Sequence, residues 1–254
     1  MKLIWAYLII ILMTAGEAMA TPIHFQTGTQ RVPLLELYTS EGCSSCPPAE
    51  TWLNRLKDSP ALWRDFVPVS FHVDYWNSPS WKDRWSRPEF SDRQREYAQV
   101  WNAETVYTPC FVLNGKEWFS WRFRQSVPKT TGTSAGVLTV SSTDCKLWTA
   151  TFVPAEGNDA DYEIHAAILA GDLGSNVKGG ENNGRYLNHE FVALDLIQIR
   201  MATNQGVARV RFILDASRHD TEEVRAIAVW VTRAAGSEPL QATGGWLNLS
   251  APAK

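Results

Sequence analysis

Cysteine is scarce in this chain, four in 254 residues. There is no second C-x-x-C and no H-x3-H, which argues against a zinc site of the finger or ribbon type. Charge of one sign is lacking too: 24 Lys+Arg stand against 27 Asp+Glu, a net charge of -3. That balance excludes a global basic field for nucleic acid and a polybasic membrane anchor. Beyond the first twenty residues no apolar run is long enough to span a bilayer, which takes roughly 20 residues. No internal repeat appears. What is not lacking is apolar material: 44% hydrophobic against 20% charged residues rules out disorder throughout. Tryptophan is abundant, twelve in all, with eight between Trp52 and Trp121.

Residues 1–20 have the layout of a secretory signal. Lys2 supplies the positive start, Leu3 to Met13 the apolar stretch, and Ala18-Met19-Ala20 a small-x-small cleavage site. The expectation is an exported chain, periplasmic or secreted, with no membrane attachment after cleavage, in a compartment where disulfides persist.

From 31 to 125 the pattern mixes strand and helix. Val32–Tyr38 reads as a buried strand broken only by Glu36. Pro47-Pro48 opens a helix whose apolar face is Ala49, Trp52, Leu53 and Leu56, and Asp58-Ser59-Pro60 ends it. Val67, Val69, Phe71 and Val73 alternate as a second strand, with Pro68 at its edge or start. An insertion, 75–105, carries a helix over 88–101. Asn114-Gly115 suits the type I′ turn of a hairpin. Residues 126–136 read as a linker. Six strand-like runs separated by turn clusters fill 137–254 and suggest an all-β, sandwich-like domain.

Cys43-Ser44-Ser45-Cys46 lies where the first strand gives way to the helix. Amides and partial positive charge at a helix start stabilise a thiolate. Cys43 is therefore expected to be the exposed nucleophile and Cys46 the resolving thiol, exchanging through a mixed disulfide on Cys43. Thr108-Pro109 precedes the next strand and invites a cis peptide in a tight loop.

This order of strand, C-x-x-C at a helix start, strand, then Thr-Pro before a hairpin resembles thioredoxin-fold proteins. The resemblance implies an α/β thioredoxin-like N-terminal domain in which Thr108 and Pro109 dock a substrate backbone. It also makes Glu36 a candidate proton shuttle, although Glu36 suits a structural pairing as well. The dipeptide is Ser-Ser, and no tryptophan precedes Cys43. The longer segments LLELYTSEGCSSCPPAE (34–50), FHVDYWN (71–77), WKDRWSRPEFSDRQREYA (81–98), VYTPCFVLNG (106–115) and GGENNGR (179–185) resemble a bacterial secreted family known as domain of unknown function 1223. That family implies the same thioredoxin-like domain with a β-rich extension and no settled activity.

Cys110 has three readings: a buried small hydrophobe, a disulfide partner for Cys145, or a third thiol with Cys43 and Cys46 in a Cu(I) pocket. Asp74 is a candidate for lining the site or capping a loop. Trp76, Trp81 and Trp85 with Arg84 and Arg87 are candidates for a groove wall or for core packing. Gly179–Arg185 is a turn cluster in which Glu181 and Arg185 pair or contact the first domain. His165, His189 and His219 carry no assigned role. The expectation is a thiol–disulfide oxidoreductase without a cofactor, acting on protein or peptide thiols and disulfides. The alternative is a non-catalytic binding module in which the dithiol is a structural staple or a Cu(I) site.

Overall fold

The structure is a computed structural model that describes residues 22–123, 127, 132–156, 160–219 and 224–247. The expected signal segment falls outside those residues, as do residues 126 and 128–131 of the expected linker. In chain order the elements are β1 (Ile23–Gln26), β2 (Leu34–Thr39), α1 (Pro47–Asn54), β3 (Val67–His72), α2 (Pro88–Val100), β4 (Cys110–Leu113) and β5 (Lys116–Glu117). They continue as β6 (Gly136–Ser142), β7 (Leu147–Pro154), β8 (Tyr162–Gly171), β9 (Leu173–Asn176), β10 (Tyr186–His189) and β11 (Val192–Arg200). The last are β12 (Ala202–Asn204), β13 (Val207–Ile213), β14 (Val224–Arg233) and β15 (Pro239–Leu247).

One mixed eight-stranded sheet runs β15-β14-β8-β11-β3-β2-β4-β5. Within it β2 and β3 are parallel, β11 joins β3 in parallel, and the other pairings are antiparallel. An antiparallel five-stranded sheet, β1-β6-β7-β13-β12, faces part of it, and β9 and β10 form a separate pair.

The expected α/β thioredoxin-like N-terminal domain beside an all-β C-terminal domain is not what the chain builds. The molecule is mostly strand with two α-helices among its described residues. The strands of 34–117 are half of a sheet completed by strands from beyond residue 160. The junction is the pairing of Val192 with Ser70, a contact between residues far apart in sequence that periodicity does not encode. Pro68 fits because it sits at the start of β3, before the pairing with β11 at Ser70 begins.

Two cores result from the two-residue alternation of the sheet. Ala226, Ala228 and Trp230 of β14 pack with β2, β3 and the helices, whereas Ile227, Val229 and Val231 face the five-stranded sheet. This explains why β14 reads as an unbroken apolar run: it is covered on both faces. At the β4–β5 hairpin, Asn114 and Gly115 have φ of 51° and 77°, the positive values the Asn-Gly turn requires.

Candidate functional site

The turn from Ser40 to Cys46 links β2 to α1 at one end of the large sheet. Cys43 and Cys46 are joined by a disulfide, their Cα atoms 5.5 Å apart. Cys46 is the N-cap of α1, and Pro47 and Pro48 occupy its first positions. Those prolines have no N–H to offer. Three other amides of the turn are committed: Cys43 N donates to Ser40 O, Cys46 N to Cys43 O, and Ser44 N to Glu181 Oε2. Those donors around Cys43 are thus already used. The expected exposure of Cys43 is also absent, since Cys43 and Cys46 are both 0% exposed, and Ser44 and Ser45 form the motif's outer surface.

Two segments cover the dithiol. The 179–185 loop lies on one side, with Gly180 at φ 68°. Its buried Asn182 donates from Nδ2 to Glu41 O at 2.9 Å and Cys43 O at 2.8 Å. Glu181 accepts from Ser44 N and Oγ at 3.0 and 2.7 Å, and these bonds hold its carboxyl below the usual pKa. Arg185 donates to Asn182 rather than pairing with Glu181. On the other side Thr108 O lies 3.8 Å from Cys43 Sγ and accepts from Ser45 Oγ at 3.4 Å. Trp76 Nε1 holds the Thr108 hydroxyl at 2.8 Å, and the Thr108–Pro109 peptide is cis.

Behind the turn is a buried polar cluster that the sequence reading did not assemble. It draws Glu41 from the turn, Glu50 from α1, His72 from the end of β3, Asp83 from the insertion and His189 from β10. His72 Nδ1 meets Asp83 Oδ2 at 2.7 Å, while Asp83 also accepts from the amides of Glu41 and Trp85. His189 lies between two carboxylates, Nδ1 3.0 Å from Glu50 Oε2 and Nε2 3.4 Å from Glu41 Oε1. Thr39 donates to Glu50, and Trp81 Nε1 donates to Glu41. Trp85 packs edgewise against both imidazoles, centroids 5.7 and 4.9 Å away.

Burial would depress the His189 pKa, but the charge of Glu50 and then the contact with Glu41 outweigh it and raise it to about 10. Burial likewise opposes ionisation of Glu50 and Asp83, yet His189 and His72 respectively bring their pKa values below normal. Glu50, His72 and His189 each present a ligand atom within 4.8 Å of the others'.

The other candidates separate from the dithiol. Glu36 is fully buried and bonded to Arg93 Nε at 2.7 Å, Tyr97 OH at 2.6 Å and Tyr38 OH at 3.2 Å, with no cysteine among these partners. Asp74 is bonded to Ser91. It is Trp76, two residues further on, that reaches Thr108. Cys110 and Cys145 are both free and buried, so the candidate disulfide is not formed; the two residues belong to different cores. The three-thiol Cu(I) pocket is not assembled either. Cys43 and Cys46 are bonded to each other, and Cys110 interacts with Tyr107, Gln94 and Glu117. Burial pushes the Cys110 thiol up to about 12.

Comparison with solved structures places the fold among known ones. A crystal structure of a protein from Agrobacterium tumefaciens superposes with a TM-score of 0.60 at 20% identity, covering 90% of this chain and 100% of that one. HBP35 of Porphyromonas gingivalis gives 0.59 at 14% identity, covering 89% of this chain and 78% of that one. At such identities the likeness concerns the fold alone. A search of the curated proteins finds no match. The family described as protein of unknown function (DUF1223) matches residues 34–232, and the chain belongs to it.

Proposed function

We propose that the chain is an exported protein that carries out thiol–disulfide exchange at Cys43–Cys46. The observation that carries this reading is the bonded pair at the start of α1, with the Thr108 carbonyl 3.8 Å from Cys43 Sγ. A substrate thiolate attacks Cys43 Sγ, forms a mixed disulfide and expels the Cys46 thiolate. A second substrate thiolate attacks the substrate sulfur and expels the Cys43 thiolate. The substrate leaves as a disulfide, and the protein is left as a dithiol. In the reverse direction Cys43 opens a substrate disulfide and Cys46 resolves it. The substrates are protein or peptide thiols and disulfides, and the backbone beside Cys43 that receives them is Thr108-Pro109.

Because both sulfurs are covered, access requires the Ser44–Glu181 and Ser45–Thr108 contacts to part. The same burial favours a second reading, in which the disulfide is a static staple within a binding module. Equilibration against glutathione separates the two. An exchanging pair has a reduction potential above about -300 mV, whereas a structural disulfide lies below it. Cys46→Ser should trap a mixed disulfide on Cys43. A potential below that line, or no trapped adduct, defeats the exchange reading.

A further inference from the structure

We propose that Glu50, His72 and His189 form a binding site for a divalent first-row transition metal such as Zn²⁺, distinct from the dithiol. The first support is an orphaned atom. His72 is 0% exposed, its Nδ1 is held by Asp83, and its Nε2 has no hydrogen-bond partner among the described residues. His189 is nearly as enclosed, and its Nδ1 and Nε2 face Glu50 and Glu41, so a metal held between Nδ1 and Glu50 would take the place of the Nδ1 proton. A buried nitrogen left as His72 Nε2 is costs free energy unless something fills its open direction.

The second support is the arrangement around each ring. Asp83 stands at Nδ1 of His72 and leaves Nε2 open. Glu41 stands at Nε2 of His189, whose Nδ1 faces Glu50. A carboxylate on the far nitrogen of each imidazole is the pattern that orients metal-binding histidines and increases their basicity. Thr39 fixes one oxygen of Glu50, and the other is turned to His189.

The donor set decides the class of metal. Two imidazoles and a carboxylate suit zinc and its first-row neighbours, whereas Ca²⁺ and Mg²⁺ prefer all-oxygen cages. Ligand atoms within 4.8 Å of one another need only small side-chain rotations to reach the roughly 3.3 Å separations implied by Zn–N and Zn–O bonds of about 2.0–2.1 Å. The charge is also appropriate. Glu41, Glu50 and Asp83 are at most 4% exposed, and among the described residues none of them has an ion pair to Lys or Arg. A cleft of about 810 Å³ beside α1, lined by Glu50, Thr51, Asn54, Leu187 and His189, gives an ion a way in.

The test keeps the Cys43–Cys46 bond oxidised, so that no thiolate competes and the result does not depend on the exchange reading. The chain, without an affinity tag, is stripped with a chelator, loaded with Zn²⁺ and passed through gel filtration. About one zinc should remain per chain, and X-ray absorption should show nitrogen and oxygen ligands with imidazole scattering and no sulfur. His72→Gln and His189→Gln, checked for folding by circular dichroism, should each weaken zinc binding by at least about tenfold. If neither variant folds, the wild-type absorption spectrum decides. Zinc-free folded wild type, sulfur scattering, spectra without imidazole, or folded variants that hold zinc as the wild type does would each overturn the site.

Discussion

Two buried carboxylate clusters flank β2 and β3, and they are built on opposite principles. Around Glu36 every acceptor is used. Arg93 supplies the countercharge, Tyr97 and Tyr38 donate to the same carboxylate, and the guanidinium lies 4.9 Å from the Trp230 ring centre. Around His72 and His189 there are three carboxylates, no lysine or arginine ion-paired to them among the described residues, and a His72 Nε2 without a partner. The first cluster is closed upon itself and explains only stability. The second is incomplete as protein alone, and incompleteness in a buried network is what marks a place for a ligand.

The sharpest way to test that contrast is to unbalance the complete cluster. Arg93→Met leaves Glu36 buried without its partner and should cost about 3–5 kcal/mol in urea unfolding. The double variant Glu36→Leu with Arg93→Met should recover most of that loss, because replacing both ions removes the uncompensated charge. No recovery would mean that Arg93 acts through its ring contacts rather than the ion pair. Asn182→Ala removes two side-chain bonds to the dithiol turn and should cost about 1–3 kcal/mol. It should also speed reduction of the disulfide by dithiothreitol; an unchanged rate would show that the 179–185 loop does not guard the sulfurs.

The smallest effect concerns Cys110, whose raised pKa keeps the thiol protonated in the folded state. Its neutral form is favoured on folding, so this contribution is complete below the ordinary pKa of 9.0 and is lost as pH rises towards about 12. Iodoacetamide at pH 8 should leave Cys110 unlabelled until the protein is unfolded. Rapid labelling of the native chain would place the thiol at an accessible site.

Local features were readable because local chemistry dictates them. The start of α1 at Pro47, the end at Ser59 of the 3₁₀ turn Arg55–Asp58 that continues α1, the helix from Pro88 and the Asn114-Gly115 turn follow from φ restriction, missing donors and positive-φ tolerance within a few residues. The C-x-x-C spacing likewise announced a close pair of sulfurs. The polar cluster was not readable. Its members come from five separated segments, and His189 stands 117 positions beyond His72, so no spacing rule links them. The burial of Cys43 was equally hidden, because the residues that cover it belong to the 179–185 loop and to Thr108.

By itself the sequence determined the short-range elements, the two-sided apolar strands and the dithiol. Only the tertiary structure decided that β3 pairs with β11, that Cys110 and Cys145 stay apart in different cores, and that two histidines and three carboxylates meet behind the disulfide. The reason is physical. Backbone preference and periodicity act over a few residues, whereas strand partners and buried polar groups are chosen by what the whole chain can cover and satisfy at once.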